Sequence, residues 1–197
     1  MKYLWIIVFA AVFVWSGIEP KDRLTWFLEV APAVIGVSVL AYTYNSFRLT
    51  PLVYILILVH CIILMVGAHY TYAEVPLFEY LKEPLGFTRN NFDKLGHFAQ
   101  GFIPAMVARE VLIRKSVIPS AGWRDFFIIS FCLALSAFYE IIEWWVALAS
   151  GESAEAFLGT QGYIWDTQSD MWIALIGAVV ALLMLSKLHD RQLSEIS

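Results

Sequence analysis

The sequence predicts an all-α, polytopic membrane protein: a bundle of about six transmembrane helices forming a single domain over residues 1–197. Two observations predict it. Hydrophobic residues make up 60% of the chain and charged residues only 15%, where a soluble domain carries roughly 25% charged residues. Water therefore cannot be the solvent for most of this surface. The apolar residues also fall in blocks long enough to cross a bilayer, which takes roughly 17 to 25 residues in a helix whose backbone polar groups are satisfied internally.

The first block, about 3–18, is the shortest and follows Met1 and Lys2. A charged start before an apolar run resembles a secretory signal, but no small-x-small cleavage site follows and further blocks do, so an uncleaved helix is expected. The second block, about 24–44, closes on Tyr42 and Tyr44, and the third, about 51–72, closes on Tyr70 and Tyr72. The fourth covers about 95–113. The fifth, about 126–149, is preceded by Trp123 and ends near Trp144 and Trp145, and the sixth, about 166–188, follows Trp165. Trp and Tyr at block ends are what the membrane interface selects. The connections are too short for a second domain, the longest running from Ala73 to Lys94, and no internal repeat is evident.

Six crossings put both termini on one side, together with Lys2, Arg48, Arg114, Lys115, Arg124, Lys187 and Arg191. The other side holds Lys21, Arg23, Lys82, Arg89 and Lys94 beside Glu74, Glu79, Glu83, Glu152 and Glu155. The positive-inside rule then makes the termini cytoplasmic. A formal net charge of −4 with no basic stripe argues against nucleic acid as a partner. Membrane lipids are the expected surroundings. Cys61 and Cys132 lie inside apolar blocks and read as packing residues.

Ionisable groups inside membrane spans are costly and mark sites or buried networks. Three clusters qualify. Asp93, His97 and Gln100 share one face of the fourth helix start by i, i+4 and i+3 spacing. Glu140 and Glu143, at i, i+3, lie late in the fifth, and Asp166 and Asp170, at i, i+4, open the sixth. All three clusters fall at the outer ends of their helices and so share one depth. His69 is a further candidate, and Glu29 a weaker one.

Carboxylates with one or two imidazoles suit a divalent metal, because oxygen ligands favour Mg, Ca or Mn and added imidazole favours Zn or Fe. The expected ligands are His97, Glu140 and Asp170, with Asp93 or Asp166 beside them. Glu143 is the candidate base and Lys94 the candidate anion-holder. The plainer readings stand beside these. Asp93 and Asp166 can simply favour a helix N-terminus, Lys94 can snorkel or pair with Glu140 or Asp170 in a structural network, and a lone His97 is more often a hydrogen-bonded structural residue. His60 reads as a packing hydrogen-bonder, His189 as a solvated tail residue, and Arg109 and Glu110 as interfacial.

At Asn91–Gly101, Glu140–Trp144 and the run from Phe157 to Met171, the chain resembles the YjdF-like inner membrane proteins of bacteria. That resemblance implies an inner-membrane setting, supplies no reaction, and implies an acidic residue where this chain carries Tyr163. The second half is also similar to VanZ-like membrane proteins in its Asp93, Lys94, His97, Phe98 helix start and in Asp170 followed by Gly177. The functional expectation is a metal-assisted membrane enzyme acting on a lipid or cell-envelope molecule at the outer face. A proton, cation or small-solute transporter is the first alternative, and a structural or assembly protein with a buried polar network the second.

Overall fold

The computed structural model describes residues 2–150 and 160–196. Among these the chain is all helix: α1 (Lys2–Gly17), α2 (Arg23–Thr43), α3 (Pro51–Tyr70), α4 (Pro76–Lys82), α5 (Phe92–Arg114), α6 (Ala121–Ser150) and α7 (Asp166–Ser194), with no strand. Glu152, Glu155 and the Phe157–Gly159 part of the motif run lie outside the described residues.

Four of these helices, α2, α3, α6 and α7, are long and apolar enough to cross a membrane. The other two expected spans differ for separate reasons. Helix α1 is apolar but has only 16 residues, a rise of about 24 Å against a hydrocarbon layer of about 30 Å. Helix α5 has 23 residues, but charge enters near both ends, with Asp93 and Lys94 at one and Arg109, Glu110 and Arg114 at the other.

Local chemistry sets the helix ends. Asp22 caps α2 by accepting from the Thr25 N–H at 2.7 Å. Thr50 caps α3 and Pro51 opens it, where a missing N–H costs nothing. At the far end of α3, Thr71 and Tyr72 turn left-handed, and the Tyr72 N–H reaches back to the Gly67 carbonyl. Two helices run further than their apolar blocks: α6 starts at Ala121, and α7 continues to Ser194. Helix α4, begun by Pro76, sits within the long connection from Ala73 to Lys94.

Helices α5 and α7 run parallel in closest contact, because small residues line their crossing. A Cβ on Gly101 would collide with the Ala174 carbonyl oxygen, and one on Gly177 with that of Phe98. Ala105, Ala174, Ala178 and Ala181 are all buried around this line. Association in a bilayer gains nothing from hydrophobic transfer, so close backbone packing of this kind is the main route to affinity. A second slot is cut by Gly67 and Gly96, which together accommodate the Tyr72 ring.

Helix α1 lies parallel to α3 along its length. Trp5 donates its indole N–H to the Tyr54 carbonyl at 2.7 Å near one end, and Trp15 packs on His69 at 4.6 Å near the other. Outward faces expose Ile7, Phe27, Ile35, Phe126 and Leu183, an exterior suited to lipid. The two ends of the bundle are each tied. At the end bearing the termini, Gln192 accepts from the Leu52 N–H at 2.8 Å. At the opposite end, Asn90 and Gln161 exchange hydrogen bonds at 2.9 and 2.8 Å.

Candidate functional site

The parallel start of α5 and α7 and the finish of α6 meet at the end opposite the termini. Each supplies a carboxylate pair or a carboxylate with imidazole, and Asn90, just before α5, is tied to Gln161, just before α7. His97 sits at the centre. Its Nε2 lies 3.3 Å from Asp93 Oδ1, 3.8 Å from Glu140 Oε1 and 3.9 Å from Asp170 Oδ1. All four side chains are buried, His97 at 6% exposure.

On the other side of the ring, His97 Nδ1 donates to Gln100 Oε1 at 3.1 Å. With that proton placed, Nε2 is the atom left to face the carboxylates, the arrangement a ligating imidazole needs. Two groups whose spacing could hold a metal ion share His97. It combines with Asp93 and Asp170 in one and with Glu140 and Glu143 in the other, the donor atoms of each lying within 4.8 Å of one another. Among the described residues, Asp93 Oδ2 and Glu140 Oε1 are buried without a hydrogen-bond partner.

Asp166 belongs to neither group. Its Oδ1 accepts from both Arg89 Nη1 and Lys94 Nζ at 2.6 Å, and Lys94 also reaches Asp170 Oδ1 at 2.5 Å. The Lys94 ammonium is therefore committed to two carboxylates of α7, as the structural-network reading allows. Arg89, which the sequence reading counted only as an outer-side charge, is a second cation of the site and also lies 3.7 Å from Asp93. The Tyr163 ring faces both cations, 5.7 Å from Arg89 and 5.9 Å from Lys94. These are the partners an acidic residue at that position would meet.

From this cluster a cavity of about 140 Å³ runs between α2, α3, α5 and α6. Asp93, His97 and Glu143 stand at one part of its wall and Glu29, Tyr139 and His60 at another. Glu29, on α2, is 3% exposed and accepts from the Tyr139 hydroxyl at 3.0 Å, bridging α2 to α6. Both belong to the site more firmly than their place in the sequence suggested. His60, read as a packing residue, lines the same cavity. His69 stays apart: its Nδ1 lies 3.1 Å from the Ser16 carbonyl oxygen, to which it can donate.

A second polar cluster lies at the end bearing the termini, where the sequence suggested none. His189, expected in a solvated tail, is fully buried, because α7 continues and carries it against α5. Its ring nitrogens lie 3.1 Å from Glu110 Oε2 and 3.0 Å from Arg109 Nη1. Glu110, expected at the interface, is also fully buried. It accepts from the Thr50 N–H at 2.9 Å, the Thr50 hydroxyl at 2.7 Å and Arg114 at 2.9 Å. Arg109 completes the set by donating to Asp190 at 2.7 Å. Most polar atoms of this set bond to one another, Arg109 Nε being the exception among the described residues, and the bonds link α3, α5 and α7 as a structural lock.

Residues 1–191 match the family described as predicted membrane protein DUF2238. The chain is 50% identical over 182 residues to the protein named inner membrane protein YjdF of Escherichia coli strain K12, covering 92% of this chain and 87% of that protein. No solved structure matches. With its bundle of apolar helices inside the matched region and half of the aligned residues shared with that relative, the chain belongs to the DUF2238 family and is an integral inner membrane protein.

Proposed function

We propose that this protein is a six-helix membrane enzyme whose outer chamber holds a divalent cation and acts on a lipid or other envelope molecule. The observation that carries the reading is the set of donor atoms around His97 Nε2. Ligand bonds of about 2.1 Å place neighbouring donors about 3.0 to 3.4 Å apart, and the separations of 3.3, 3.8 and 3.9 Å approach that spacing. The charge balance supports it as well. Glu29, Asp93, Glu140, Glu143, Asp166 and Asp170 outnumber Arg89, Lys94 and His97, so a cation or shared protons must offset the surplus.

In this reading the ion lies against His97, Asp93 and Asp170, with Asp170 the weaker ligand because Lys94 already engages it, and Glu140, from the second group that shares His97, closes on it from α6. Asp166 acts from behind by holding Lys94 and Arg89 in place. A divalent ion there would polarise an ester or phosphoryl oxygen and lower the pKa of a water. Glu143, on the cavity wall, takes the water's proton, and Tyr139 and Glu29 border the space for substrate. Trp144, Trp145 and Trp165 are each more than half exposed near the same end and suit acyl-chain contact. Six crossings are supported by α1 lying alongside α3 and by α5 keeping its charges near its two ends, and the Lys and Arg asymmetry favours cytoplasmic termini.

One observation favours a second reading, a proton or cation pathway. The cavity reaches His60 in the middle of α3 and passes Pro32, inside the continuous α2, and an ionisable group lining a cavity at mid-depth is a trait of proton and ion pathways. The test uses protein reconstituted in vesicles of envelope lipid extract with Zn, Mn or Mg. A lipid product found by mass spectrometry with the wild type and lost in His97→Ala supports the enzyme. Ion flux without any product replaces it with the pathway, and neither product nor flux leaves the structural network as the function.

A further inference from the structure

A groove of about 340 Å³ opens at the end bearing the termini, between the start of α1, the finish of α2 and the start of α3. Its floor is apolar, formed by Ile6, Val37 and Leu40, and its mouth carries Lys2 and Arg48. Among the described residues, no Asp or Glu lines it. Lys2 Nζ lies 4.5 Å and the Arg48 guanidinium 5.4 Å from the centroid of one ring, that of Tyr44.

Two cations against a single aromatic ring repel each other. The ring quadrupole offsets about 0.5 to 1 kcal/mol for each at an exposed site, but it supplies no net negative charge. Among the described residues no carboxylate stands within ion-pair distance of either Lys2 or Arg48. Lys115 adds to the field from the adjoining loop, 5.2 Å from the Phe47 ring. A chain of net charge −4 has thus placed unbalanced positive charge over an apolar slot at one membrane interface.

The matching ligand has a phosphate at one end and a hydrocarbon tail at the other. We propose that this groove binds an anionic phospholipid, with its phosphate between Lys2 and Arg48 over the Tyr44 ring and an acyl chain along Ile6, Val37 and Leu40. The charge complementarity excludes a neutral lipid as the preferred occupant, and the apolar floor excludes a bare soluble phosphate. The groove lies at the opposite end of the bundle from the His97 cluster, so this site stands whether or not a metal binds there.

The test is native mass spectrometry of the full chain with phosphatidylglycerol or phosphatidylcholine, with glycerol phosphate as the soluble control. The wild type should retain one more phosphatidylglycerol than phosphatidylcholine. Lys2→Gln and Arg48→Gln should each weaken that binding about fivefold, the scale of one basic residue near an anionic surface. Ala41→Trp fills the groove while keeping both cations, and should abolish the extra lipid. Equal retention of the two lipids, equal retention by Ala41→Trp, or equivalent binding of glycerol phosphate would each overturn the assignment.

Discussion

The lock around Glu110 makes a prediction whose size follows from its contacts. Glu110→Ala leaves the fully buried Thr50 N–H and hydroxyl and His189, together with the partly exposed Arg114, without their shared acceptor. Removing one partner of a buried ionic cluster costs about 3 to 5 kcal/mol. For a chain of this size each kcal/mol moves the melting midpoint by about 2 to 4 °C, so the drop should be about 6 to 20 °C. Glu110→Gln keeps an acceptor oxygen for Thr50 and loses the charge, and should cost about 1 to 3 kcal/mol. Intrinsic tryptophan fluorescence during heating in detergent reads both. A loss below about 2 °C for Glu110→Ala would refute the idea that this cluster fastens α3, α5 and α7, and Glu110→Gln as damaging as Glu110→Ala would refute the role given to Thr50.

Gly101→Leu drives a side chain into the α7 backbone at Ala174. It should cost about 1 to 3 kcal/mol or more, read as lower thermal stability than Gly36→Leu, whose added Cβ meets nothing. The Thr25 N–H at Asp22 holds that carboxyl below the usual aspartate range, so its cap contributes above the unfolded pKa of about 3.9 and is lost as pH falls through the lower folded value. Asp22→Ala should therefore cost about 1 kcal/mol at pH 7 and progressively less as pH falls below the ordinary aspartate range, as melting curves over a pH series would show. Reporter fusions after Ser197 and within 151–162 should report opposite sides of the membrane, the first cytoplasmic. Fusions reporting one side would contradict six crossings.

Much of this was legible in the sequence because a span is a local property. Each of α2, α3, α6 and α7 could be found from length and apolarity, without knowledge of its neighbours. Errors came at the ends. Trp123–Asp125 and His189–Arg191 look like solvated connections by charge, yet α6 and α7 continue through them, because helical hydrogen bonding does not stop where hydrocarbon stops. Helix α4 is a single short stretch without a block of its own.

The candidate site was legible where spacing and helix direction were enough, as for Asp93, His97, Glu140, Glu143 and Asp170. Arg89 could have been found from its i, i+4 distance to Asp93, the signal that picked out His97. Glu29 was visible as a charge in an apolar block, but its partner Tyr139 is 110 residues away. His189 shows the same limit, since its burial depends on Glu110, 79 residues earlier. Such pairs are set by how helices pack, which neither composition nor period encodes.

The central claim is that the groups around His97 hold a divalent cation. Purified protein incubated separately with Zn, Mn, Mg and Fe, then freed of excess metal, should retain one ion per chain by elemental mass spectrometry. At about a hundred times its dissociation constant the ion should add about 2.7 kcal/mol of stability. Glu140→Gln should remain folded and lose the ion, while Asp170→Asn should lose only part of its affinity. A folded wild type that stays metal-free with all four ions, and whose melting midpoint none of them moves, would contradict the account and leave the cluster as a proton-sharing polar network.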